Sequence, residues 1–158
     1  MSAIETKLYD LLSPMLGAEV LIFADQNAPR PSIPYWTLNV SPRKHLGRDA
    51  YSQGVDADGD QEVYGVRESV AQVQRIGKDA DTFVQDLRDE LSKITVQERW
   101  QLAGVSLFNT GDVQDVPFPM DNNHLEPRAI IDLFVRYGTK LIDRVGIIET
   151  VVSDATYP

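Results

Sequence analysis

Residues 128–137, Arg-Ala-Ile-Ile-Asp-Leu-Phe-Val-Arg-Tyr, limit what the chain can fold into more than any other stretch. Every odd position is apolar: Ala129, Ile131, Leu133, Val135 and Tyr137. Strict period-2 alternation predicts a β-strand with one face on a core. The even positions mix charge with bulk: Arg128, Ile130, Asp132, Phe134 and Arg136. That second face is neither clean core nor clean solvent, and it reads as a surface that meets a partner chain. Ten residues would span about 33 Å, against a mean strand of about 5–6 residues.

The remaining periodicities predict few helices among several strands. Residues 2–15 carry Ile4, Leu8, Leu11, Leu12 and Met15 on one helical stripe. Ser2 and Glu5 have the spacing of a capping box, and Gly17 lies just past the expected end. Residues 19–24 contain the apolar run Val20-Leu21-Ile22-Phe23, a short buried strand, followed by a proline-rich loop over 25–34. Residues 35–40 alternate as a strand between Pro34 and Pro42. Residues 47–61 predict a long polar loop. Residues 62–76 are ambiguous. Val63, Val66, Val70 and Val73 have helical spacing, but Gly65 and the β-branched content favour a strand over 67–76. Residues 78–94 predict a helix with Phe83, Leu87, Leu91 and Ile94 buried. Residues 96–103 form a turn or short helix carrying Trp100, residues 105–117 begin as a strand, and 117–127 form a loop. A final strand is expected over 145–152, entered through Gly146. The resulting fold class is α+β: a single domain over residues 1–158, with an antiparallel or mixed β-sheet packed against two main helices.

Composition narrows the function. The chain has 24 acidic and 15 basic residues, a formal net charge of −9. Tight sequence-independent DNA binding needs lysine and arginine to displace counterions, so it is disfavoured. A surface that lets DNA pass without capture remains compatible. Cysteine is absent, which removes disulfides and thiolate chemistry and suits a reducing cytosol. No apolar run approaches the length of a transmembrane helix, so no membrane partner is expected. The opening Met-Ser-Ala-Ile-Glu-Thr-Lys does not read as a secretory leader.

Catalytic signals are weak. His45 and His124 fall in no zinc or hydrolase motif. The stretch Asp56-Ala57-Asp58-Gly59-Asp60-Gln61-Glu62 resembles a calcium loop only superficially. Gln61 stands where the EF-hand glycine is needed and Arg67 where its bidentate glutamate is needed. Glu5 and Lys7 have a nuclease-like spacing, but acids in a first helical turn are explained by the helix dipole. Arg43, Lys44, His45 and Arg48 form one short basic patch, most simply a strand end. No catalytic residue, metal site or cofactor is expected.

Several pieces in order carry a resemblance. They are Ile33-Pro34-Tyr35-Trp36-Thr37-Leu38-Asn39-Val40, the Gly77-Lys78-Asp79-Ala80 strand-to-helix step, Asp115-Val116-Pro117, Glu126-Pro127-Arg128-Ala129 leading into Phe134-Val135-Arg136-Tyr137-Gly138, and Asp143-Arg144-Val145-Gly146-Ile147-Ile148-Glu149. The chain resembles the tail (neck) terminator proteins of long-tailed bacteriophages over nearly its whole length. That resemblance implies a structural virion protein, not an enzyme. It implies a ring of copies of this chain, usually six, on the end of the tail tube. Such a ring ends tube polymerisation and docks the head or neck connector. It implies the virion tail as the location, with host cytoplasm during assembly, and DNA sliding through without specific binding. Within that frame, Ile130, Phe134 and Arg136 are expected at the subunit interface. The loop acids Asp56, Asp58, Asp60, Asp112 and Asp115 are the expected lumen- or partner-facing residues. Another neck or tail ring protein, or a metal-dependent enzyme using the acidic loop, are the alternatives.

Overall fold

A computed structural model describes residues 2–41, 44–120 and 124–146. Helix α1 is Ala3–Leu12. Strands β1 (Val20–Phe23), β2 (Tyr35–Val40), β3 (Lys44–His45), β4 (Ala50–Tyr51) and β5 (Asp60–Ile76) follow. Helices α2 (Ala80–Leu91) and α3 (Ile94–Leu102) come next. The chain continues through β6 (Val105–Thr110), β7 (Gln114–Asp115), β8 (Phe118–Pro119), β9 (Leu125–Glu126) and β10 (Arg128–Arg144).

The main sheet runs β1-β2-β5-β10-β6, with β3 and β4 beside β5 and β7 beside β10. Among the described strands only β1 and β2 pair in parallel; β2–β5, β5–β10 and β10–β6 are antiparallel. This is the expected α+β domain with a mixed sheet. It has three helices where two main ones were expected, because the third, α3, is a true helix anchored by the 1% exposed Trp100.

Alternation decides which face is core. Ala129, Ile131, Leu133, Val135 and Tyr137 of β10 are all buried, as their spacing predicts. They share one apolar cluster with Ile4, Leu8, Leu11 and Leu12 of α1, Ala80, Val84, Leu87 and Leu91 of α2, and Val96 and Trp100 of α3. All three helices therefore lie on one side of the sheet, giving two layers. The capping box of α1 is present in full: the Glu5 N–H donates to Ser2 Oγ and the Ser2 N–H to the Glu5 carboxylate.

Helix α2 corrects two expected core positions. Phe83 is 45% exposed and Ile94 is 74% exposed. The buried row is 80, 84, 87 and 91, so Val84 takes the place expected for Phe83. Helix α2 stops at Leu91, and Ile94 opens the next helix. The step into α2 needs Gly77: its φ is +134°, and a Cβ there would fall 2.9 Å from Pro34 Cβ.

Both long strands exceed their predicted lengths. Strands β5 and β10 each run 17 residues, roughly 55 Å at strand rise. They pair throughout, from Arg128↔Ile76 to Arg144↔Asp60. Part of the stretch expected as a 47–61 loop is therefore strand: β4 and the first residues of β5. The expected loop over 117–127 likewise holds the small β8–β9 pair. The expected strand over 145–152 falls mostly outside the described residues; Val145 and Gly146, which are described, are not strand.

Candidate interaction surfaces

The face of the sheet opposite the helices carries the three residues expected at an interface. Ile130 and Phe134 are half-buried and Arg136 is exposed, in one row along β10. Gln74, Val70 and Glu68 of β5 stand directly opposite them. Arg136 Nε donates to Glu68 Oε1 at 2.6 Å, and its guanidinium lies 4.4 Å from the Phe108 ring centre. Phe108 sits where the β10–β6 register slips between Phe134 and Val135, a bulge that leaves its ring 6.3 Å from that of Phe134. Gln72 Nε2 donates to Asp132 Oδ1 at 3.2 Å. The result is a broad, semi-apolar face whose charges are largely paired. The alternation of residues 128–137 places the β10 row on this face, whereas the ambiguous pattern of residues 62–76 does not assign Val70 to it.

Beyond Tyr137 the β5–β10 pair leaves the core and continues as an arm, residues 60–66 against 138–144. Apolar side chains are exposed along it: Tyr64 44%, Val66 48%, Leu141 58% and Ile142 62%. Lys140 bonds Glu62, and Tyr64 donates its hydroxyl to the same carboxylate. The Lys140 and Tyr64 bonds hold the Glu62 carboxyl below its usual range, and the same Glu62 bond raises the Tyr64 hydroxyl. Arg144 approaches Asp60 more loosely, at 3.8 Å. The arm thus exposes apolar groups beside charges, of which Lys140 and Glu62 pair across the ribbon while Asp143 and Arg144 stand exposed near its end.

At the arm's base, Arg67 forms two bonds to the Asp49 carboxylate, at 2.7 and 2.8 Å, and lowers its pKa. Gly65 makes this possible, since a Cβ there would lie 2.2 Å from Arg67 Nη1. The strand-interior glycine that blurs the sequence pattern is the space the guanidinium occupies. At the other end of the sheet, Arg75 is 2% exposed. It bonds both oxygens of Glu19 at 2.7 and 2.9 Å and lies 3.9 Å from the Phe83 ring centre. The Arg75 bond lowers the Glu19 pKa against a smaller desolvation effect. Burial pushes Glu126 upward, but the bonds from Arg128 and Arg30 together bring its pKa below the usual value. These clasps pin loops to the sheet.

The five loop acids do not converge. Asp56 Oδ1 accepts from the backbone N–H of Asp58 and Asp60 at 3.0 and 2.9 Å, closing the turn at the arm tip. Asp115 pairs with Ala129 at the other end of β10, and Asp112 lies 3.6 Å from Arg88. The two groups sit at opposite ends of a strand, roughly 50 Å apart by its rise. Lys44 and His45 are exposed on β3, while Arg43 lies outside the described residues. Among the described residues no group of three or more His, Asp or Glu is placed to hold a metal ion. No described helix is long and apolar enough to cross a membrane.

A comparison with curated proteins finds no match. A family model described as phage neck terminator protein matches residues 2–157, essentially the whole chain. With a match of that extent on a two-layer α+β domain, the chain belongs to the phage neck terminator protein family.

Proposed function

We propose that copies of this chain close into a ring, six in number, at the head-proximal end of the phage tail tube. The ring ends tube polymerisation and offers its outer face to the head or neck connector. The observation that carries this reading is the arm. Seven residue pairs of ribbon project past the core with exposed Tyr64, Val66, Leu141 and Ile142. A two-stranded ribbon is marginal alone in water and gains stability from a further packing partner. A head-to-tail ring supplies one, because each subunit offers one patch to a different patch on the next. The half-buried face around Ile130, Phe134 and Arg136 forms part of the seam.

DNA passes through the bore without being held. A net charge of −9 supports a lining that repels phosphate. Asp56 and Asp58 at one end of the subunit, and Asp115 at the other, contribute where they face the bore. The subunit works by shape and has no catalytic step, and it resides in the virion neck after assembly in the host cytoplasm.

Electron microscopy of phage made without this protein tests the reading. Tails of uncontrolled length, or tails that fail to join heads, are the expected outcome. Normal infectious particles would overturn it.

A further inference from the structure

Strand β10 loses its β6 neighbour at Tyr137, the last residue paired with Val105. From 138 to 144 it pairs only with β5 among the described residues. Every second residue of that stretch turns its N–H and C=O away from β5. Grooves flank this edge on both faces of the sheet. One, about 280 Å³, lies between Ala3, Ile4 and Lys7 of α1 and residues 137–141. The other, about 270 Å³, includes Val66, Gln101 and Gly104 beside Gly138. A strand edge with a groove on either side is the geometry that accepts an added strand. Its backbone would complete the ladder and its alternate side chains would fill the two grooves.

We infer that residues 147–153 of a neighbouring copy occupy this edge as an added strand; the inference rests on the ring reading above. The segment reads Ile-Ile-Glu-Thr-Val-Val-Ser, rich in β-branched residues. One alternate row offers Ile147, Glu149 and Val151, the other Ile148, Thr150 and Val152. Glu149 complements Lys7, which stands exposed in the α1 groove without an ion-pair partner among the described residues. The direction of the chain favours a neighbour over the same copy. Gly146 donates its N–H to the Gly59 carbonyl at 3.0 Å, so the backbone is still bonded on the β5 side where the described residues end. That bond holds Gly146 on the β5 side of the arm, away from the free β10 edge. Twelve further residues reach about 40 Å when extended, enough to cross to the next subunit.

The native chain has no cysteine, so introduced thiols can be placed cleanly. Chains carrying Leu141→Cys and chains carrying Val151→Cys are mixed, assembled onto tails and treated with a short bis-maleimide. A covalent heterodimer of the two chains is expected. With both substitutions on one chain, a ladder ending at the ring size is expected. Cross-linking confined to single chains, or none in particles whose rings are visible by microscopy, would overturn the added strand while leaving the ring intact. Absence of rings would instead overturn the ring reading. A Lys7→Glu variant should lower heterodimer yield several-fold, and Lys7→Glu combined with Glu149→Lys should restore it; a yield unmoved by Lys7→Glu would contradict the assigned groove.

Discussion

Strands β5 and β10 pair over 17 positions, but the two halves of that ribbon meet different surroundings. In the inner half, Val73, Ile131, Leu133 and Val135 are 0% exposed under three helices. In the outer half, Leu141 and Ile142 are more than half exposed. The backbone geometry is shared and the packing is not. The inner half stabilises the monomer through apolar burial. The outer half adds little apolar burial within the monomer, and in the proposed ring it is the part that meets other chains. On the proposed reading one long strand serves both as core and as interaction surface, and substitutions along it should separate the two roles.

The largest effect is expected at Leu133, fully buried in the core shared with the three helices. Leu133→Ala should destabilise the monomer by about 4 kcal/mol, read from denaturant unfolding. Arg75→Ala should cost about 3 kcal/mol by leaving Glu19 without its partner at a mostly buried site. Acid should act on the same clasp. Glu19 and Glu126 have folded pKa values below the unfolded one, so their stabilisation is complete above about pH 4.3. It is lost as pH falls through the lowered values. Stability should therefore drop steadily below about pH 4 in the native chain. Arg75→Ala should flatten that slope. An unchanged slope would remove Glu19 from the account.

Smaller monomer effects are expected on the surfaces proposed to face other chains. Phe134→Asp should cost about 1 kcal/mol and leave a folded monomer that cannot close rings, checked by unfolding and by microscopy of assembled tails. Unfolding of the monomer would make Phe134 a core residue. Leu141→Ala should change monomer stability by no more than about 0.5 kcal/mol while weakening assembly. A loss matching that of Leu133→Ala would show the arm packed on its own chain and erase the contrast between the halves.

The same contrast explains what the sequence could reveal. Residues 128–137 alternate because one face is buried, and all five expected core positions are buried. Residues 138–144, Gly-Thr-Lys-Leu-Ile-Asp-Arg, do not alternate, because neither face meets this chain's core. Leu141 and Ile142 stand side by side where a half-buried strand would have one polar residue. Gly65 disguised the start of β5 for a different reason, its missing side chain making space for Arg67. Phe83 was misassigned because its bulk suggests core, whereas its ring instead lies beneath the Arg75 guanidinium. The mixed face of β10 was legible from its alternating bulk and charge. The separation of the loop acids was not, since no local pattern records that Asp58 and Asp115 lie at opposite ends of one strand.

Hydrogen exchange along β10, in isolated protein and in assembled tails, tests the central claim most directly. Amides of residues 129–137 should exchange slowly in both states, and those of 138–144 quickly in the monomer and slowly after assembly. Outer-half amides already protected in the monomer, or unprotected in the tail, would contradict the arm's role as the joint between subunits.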